Sequence, residues 1–271
     1  MNRLQTQMGL MGSCALAATL FTSALYGAPA AQEGAAQEET AEEPAETAAE
    51  KASMGRVMFD GEVPEAKPLT IPATAAEGCC PDGETVSEEN LALVVSKEGG
   101  IQNVVVTVKV EGVKVDLPKE PYVMDQKSCR FLPHMLVVPK GATVAFLNSD
   151  ETSHNVHLIP MANEPFNQTV TAGKKVERTF EHAEPVKVTC DMHTWMTSWV
   201  YVADATHWTL TDADGHFTLE GLPEGSHTVN FWHETLGKKE ATVVVGKDGK
   251  AAAPVTVKLA KKKKKSRRRR R

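Results

Sequence analysis

From Met54 onward the sequence never sustains a helical period; it breaks instead into short, often β-branched runs separated by Gly, Pro and Asp. Runs of that length, punctuated in that way, are what strands and turns require, and they restrict the chain to an all-β fold. Strands are predicted at 55–59, 91–95 and 103–110, the last with valines at 104, 106, 108 and 110 on one face. Pro64, Pro68 and Pro72 make the stretch between the first two a loop or edge. A second group begins near Tyr122 and takes in 135–138, 143–147, 154–159, 175–180, 186–190 and 199–202. A third covers 207–211, 217–219, 227–232, 241–245 and 255–259, with Asp214-Gly215 as a hairpin turn. Each of the last two groups is the size of a small sandwich.

The ends differ from this body. Arg3, the apolar run from Met8 to Tyr26 and the small-residue site Ala28-Pro29-Ala30 read as a cleaved export signal over 1–30, with an uncleaved membrane anchor as the alternative. Residues 31–53 hold seven glutamates and one lysine and almost no bulky apolar side chain, which makes them an acidic disordered linker. Residues 261–271 carry ten positive charges; removing them takes the formal net charge from −5 to −15. Such a tail either meets an anionic surface or stays solvated, and an exported chain has little nucleic acid to meet. The expected location is the periplasm or cell envelope of a bacterium. In that oxidising setting Cys129 is expected to pair with Cys79 or Cys80.

Chemistry concentrates in Cys190-Asp191-Met192-His193-Thr194-Trp195-Met196, which places a thiolate, an imidazole and a thioether within seven residues. A helix turns about 100° per residue and would carry Met196 away from the face shared by Cys190 and His193, so the segment must bend as a loop around what it binds. A blue-copper centre takes two imidazoles and one thiolate with a weak, long thioether bond. The second imidazole is available in Ser153-His154-Asn155-Val156-His157. Strand alternation turns His154 and His157 to opposite sides, and His154 is taken as the ligand. A rival set, Cys129, His134, Cys190 and His193, has the composition of a structural zinc site. No Ser-His-Asp order, phosphate loop or paired-carboxylate motif stands out, so no substrate turnover is expected.

With Cys190-x2-His193-x2-Met196 downstream of His154-Asn155-Val156-His157, residues from about 131 to 202 resemble the cupredoxins, the blue copper proteins, of the amicyanin and plastocyanin kind. The resemblance implies a Greek-key β-sandwich over 118–203, one type 1 copper held by His154, Cys190, His193 and Met196, and a supporting contact from the Asn155 amide to the cysteine sulfur. It also implies electron transfer with redox protein partners. Copper delivery or storage, and an envelope interaction module with a structural metal, are the alternatives. The run from Asp214 to Val229 resembles the carboxypeptidase regulatory-like domain, which implies a structural or binding module over 204–260 with no peptidase activity. Residues 54–117 are expected to form a separate N-terminal β module, and the termini to be disordered. His233 and Glu234 read as structural neighbours, since the second histidine of a zinc-protease helix is missing.

Overall fold

The structure, a computed structural model, describes residues 54–72, 79–80 and 85–261. The expected export signal, acidic linker and all but Lys261 of the basic tail lie outside the described residues. Every element among the described residues is a strand. The chain opens with β1 (Gly55–Phe59) and β2 (Val105–Val108). It continues through β3 (Tyr122–Lys127), β4 (Arg130–Leu132), β5 (Met135–Pro139), β6 (Thr143–Asn148), β7 (His154–Ile159), β8 (Phe166–Val170), β9 (Lys175–Thr179), β10 (Pro185–Thr189) and β11 (Thr197–Ala203). It closes with β12 (His207–Leu210), β13 (His216–Phe217), β14 (Gly225–His233), β15 (Gly237–Val245) and β16 (Val255–Leu259).

Strands β3 to β11 make one sandwich of two sheets, ordered β5-β11-β10-β7-β8 and β4-β3-β6-β9. Most neighbours are antiparallel; β11 with β5 and β3 with β6 are parallel. Alternation builds the core: in β7 His154, Val156 and Leu158 point inward while Asn155 and His157 lie on the other face, and in β10 Val186 and Val188 point inward. The four apolar side chains among these pack with Met124, Phe146 and Phe180 between the sheets.

A second sandwich is assembled from both ends of the described chain, with sheets β13-β1-β16 and β12-β2-β14-β15. Residues 54–117 therefore do not stand as a module of their own, and 204–260 do not close a sandwich alone. β1 runs parallel to β16 and antiparallel to β13, while β2 fills the gap between β12 and β14. The first sandwich is thus an insertion between β2 and β12. β2 is buried along its whole length. Val104, Val106 and Val108 enter the second core as the alternation requires, while Val105 faces a seam with Met135, Val137, Ala203 and Trp232. Trp199 and Tyr201, on the outer face of β11, complete that seam against Trp232 at ring separations of 5.3 Å each.

Three local expectations change. The strand expected at 91–95 is a turn carrying one isolated bridge, Val95 to Ile101, with the Asn90 side chain capping the Ala92 amide at 3.1 Å. β4 and β8 were not expected: β4 has three residues, and β8 is an edge strand whose middle is polar and exposed, so neither shows an apolar alternation. Of the two candidate partners of Cys129, Cys79 forms the disulfide.

Candidate metal centre

The segment after β6 is shaped by Asn148. Its side-chain amide donates to the carbonyls of Thr152 and Val170 at 2.8 Å each, and its oxygen takes the Asp150 amide at 3.0 Å. The turn so formed delivers His154 to the start of β7, fully buried, and sets the Asp150 carboxylate 2.8 Å from His154 Nε2. A carboxylate on the far nitrogen of a metal-binding imidazole fixes the ring's orientation and leaves Nδ1 as the donor. Sequence reasoning overlooked Asp150; a carboxylate four residues before a candidate ligand histidine was the signal available.

The loop between β10 and β11 is closed by its own backbone. Met196 N–H donates to His193 O at 2.8 Å and Cys190 N–H to Met196 O at 3.3 Å, which bends the segment back on itself. His193 Nδ1 comes to 2.9 Å from His154 Nδ1 and 3.8 Å from Cys190 Sγ. The donor atoms of His154, Cys190 and His193 all lie within 4.8 Å of one another. Asn155 N–H donates to Cys190 Sγ at 3.3 Å. Met196 is completely buried in the same core as Cys190, while one edge of His193 reaches solvent.

Electrostatics divide the roles. For Cys190, burial pushes the thiol up, but hydrogen bonds from His154 and from the amides of Asn155, His193 and Met192 hold it below an ordinary thiol. Burial likewise works against a charged His154, yet Asp150 and Cys190 outweigh it and raise its pKa. His193 is lowered, first by burial and then by the neighbouring charge on His154, with Asp150 opposing. Asp150 is raised by burial and, more strongly in sum, lowered by His154 and the Cys129 and Ser128 amides. The two rings are thus shifted in opposite directions, His154 up and His193 down.

This donor set fits a metal ion. Two imidazoles at about 2.0 Å from one ion, meeting near a tetrahedral or trigonal angle, stand about 3.3–3.5 Å apart, and a thiolate at about 2.3 Å stands about 3.7 Å from either across a trigonal angle. The observed 3.8 Å matches the thiolate spacing, and the two Nδ1 atoms, at 2.9 Å, stand a few tenths of an ångström closer than an ion between them would set. The soft thiolate with imidazole suits copper in either oxidation state.

The other candidates separate from this cluster. His157 Nδ1 pairs with Asp191 Oδ1 at 2.8 Å, and Asn167 Nδ2 donates to Asp191 Oδ2 at 2.7 Å, so His157 belongs to a surface network. The zinc alternative does not assemble: Cys129 is in the disulfide with Cys79, and His134 pairs with Glu234 at the seam. Trp195 stands beside the donors, its ring 5.1 Å from that of His193 and its Nε1 donating to Cys129 O at 3.1 Å.

No protein-family model matches the chain, and the comparison with curated proteins returns no match. Among solved structures, the chain is similar to a Cu-containing nitrite reductase (NirK) from Thermus scotoductus SA-01, at 24% identity and TM-score 0.31, over 36% of this chain and 26% of that one. It therefore spans about a quarter of the reductase. It is similar to a purple cupredoxin from Nitrosopumilus maritimus at 24% identity and TM-score 0.27, over 30% of this chain and 99% of that one. It is also similar to amicyanin from Paracoccus versutus at 23% identity and TM-score 0.29, over 36% and 97% of the two chains. The donor geometry, independent of these partial overlaps, carries the reading that follows.

Proposed function

We propose that this chain is an exported type 1 copper protein that carries single electrons between redox partners. The carrying observation is the convergence of His154 Nδ1, His193 Nδ1 and Cys190 Sγ beside a buried Met196, with the Asn155 amide on the sulfur. His154, Cys190 and His193 would hold the ion, and Met196 would supply a weak fourth ligand. Copper held there would gain and lose one electron between Cu(II) and Cu(I). The protein's own part is to keep the donors in place in both states. Asp150 orients His154, the Asn155 amide tempers the charge on the sulfur, and the burial of Cys190 and Met196 excludes water. His193 alone of the three clustered donors reaches solvent, which makes its edge the port for a transient redox partner.

The second sandwich is proposed as a structural or binding module of the carboxypeptidase regulatory-like kind. Residues 1–30 are proposed to direct export to a bacterial periplasm or envelope, and the basic tail to meet an anionic surface there. The test is the absorption spectrum of the copper-loaded protein. An intense visible thiolate-to-Cu(II) band that Cys190→Ser abolishes supports the assignment, and a colourless Cu(II) complex refutes it. Rapid one-electron exchange with a small redox partner, without loss of metal, separates a carrier from a delivery protein; metal lost on each reduction favours delivery.

A further inference from the structure

The hairpin joining β3 and β4 touches both halves of the donor set. Lys127 pairs with Arg130, so Ser128 and Cys129 alone make the turn, and both are left-handed, with φ of 50° and 49°. A two-residue turn with both φ values positive is a type I′ turn, which favours Asn-Gly; two residues with side chains stay in it only where their surroundings hold them. Those surroundings are the metal centre's own supports. The Asp150 carboxylate accepts the Ser128 amide at 2.6 Å and the Cys129 amide at 2.8 Å while taking His154 Nε2 at 2.8 Å. The Cys129 carbonyl accepts the indole N–H of Trp195, the residue directly before Met196. Cys129 Sγ lies 4.0 Å from His154 Nε2 and is bonded to Cys79, fifty residues earlier in the chain; both cysteines are buried.

We propose that Cys129 is a positioning residue for both halves of the metal centre, and that its disulfide to Cys79 holds it there, so that cleaving the disulfide loosens the metal. The reductant is a dithiol. One of its thiolates attacks a sulfur of the Cys79–Cys129 bond, its second thiol displaces the mixed disulfide, and the reductant leaves as its own disulfide, with two electrons and two protons delivered as the thiols of Cys79 and Cys129. The turn then keeps only its hydrogen bonds. Asp150, which relies on the turn's two amides, and Trp195, which relies on its carbonyl, lose a fixed partner together. The proposal rests on the reading of His154, Cys190, His193 and Met196 as a copper site for the identity of the ion, though not for the presence of the tether.

The test measures transfer of Cu(I) from the full chain to a chromogenic chelator. Two variants break the tether while leaving the backbone contacts of residue 129: Cys129→Ala, and Cys79→Ser with Cys80→Ser so that the neighbouring thiol cannot substitute. Loss of a supporting contact around metal ligands typically costs about 10–100-fold in affinity, and both variants are expected to release copper faster by that order. Trp195→Phe keeps the disulfide, removes one contact to Cys129 and is expected to raise release several-fold. In the metal-free protein, hydrogen exchange of the amides of residues 128, 129 and 195 should accelerate when the tether is cut, and in the Cu(II)-loaded protein the position of the charge-transfer band should move, neither of which a remote stabilising disulfide would cause. Should a variant fail to fold, dithiol treatment of the metal-free wild type, followed by copper uptake and release, decides the matter. Unchanged release with the disulfide broken overturns the proposal. A wild type that binds Cu(II) without the intense band defeats the type 1 reading instead, and the same comparison made with Zn(II) still tests the tether.

Discussion

Glu234, in the turn between β14 and β15, reaches out of the second sandwich to pair with His134 Nε2 of the first at 2.5 Å, and its other oxygen accepts Trp199 Nε1 at 2.8 Å. The His134 and Glu234 side chains are 7% and 8% exposed. This contact joins the inserted sandwich to its host beside the loop that carries His193. His134 is further fixed by Ser198, whose hydroxyl donates to the His134 carbonyl at 2.8 Å.

Removing one member of such a buried pair leaves the others without partners and costs more than the pair itself contributes. Glu234→Ala strands His134 and the Trp199 indole and is expected to lower stability by about 2–4 kcal/mol in urea denaturation. Asp204→Ala is the contrasting case, because its pair with Lys109 is exposed on both sides. That substitution should leave the unfolding midpoint where it was; equal losses from the two would show that the seam contact is not special.

Asp150→Asn retains the shape of the side chain and an oxygen for the turn amides, but gives up the charge that orients His154. The fold should persist with copper affinity reduced by roughly 10–100-fold, read by competition with a chelator of known affinity. Wild-type affinity in this variant would mean that the turn amides alone are enough to place His154.

The two histidines of β7 give a direct comparison. His157→Ala breaks only the surface network with Asp191 and Asn167, and it should leave copper binding and the visible band in place. His154→Ala removes a buried donor and should abolish both. The reverse outcome would exchange their roles.

His233 sets a pH dependence. Its Nδ1 accepts the Thr235 amide at 3.2 Å, a contact that only an unprotonated Nδ1 can make, and lies 3.1 Å from the Thr235 hydroxyl. Burial, opposed by Glu234 and reinforced by His134, pushes its pKa down to about 4. In the unfolded chain a histidine titrates near 6.5, so below that pH the unfolded state binds the proton first. Stability from this residue is complete above about pH 6.5, falls as pH drops toward about 4 and then levels, a span of about 3 kcal/mol. Denaturation of the metal-free protein between pH 7 and 4.5 should therefore show a shallower decline for His233→Gln than for wild type. Parallel profiles would assign the pH dependence elsewhere.

Much of this architecture is legible in the chain itself. Period-two apolar runs located β1, β7 and β16 to the residue, because alternation is a local property of the extended backbone. The loop of candidate ligands was legible for a similar reason: Cys190, His193 and Met196 are close in sequence, and no helix could present them together. β4 and β8 were not, since a three-residue strand and a polar edge strand bury too little to leave a pattern.

The amino-acid sequence by itself determined an all-β chain, a loop bent around soft donors and the histidine strand that completes it. Only the tertiary structure decided that β2 belongs to the second sandwich, that Cys79 rather than Cys80 meets Cys129, that Asp150 orients His154 and that Glu234 closes the seam. Local periodicity specifies which face of a strand is buried, but not which distant face covers it. That choice follows from the register and packing of whole sheets, and there residues a hundred positions apart, such as His134 and Glu234, become neighbours.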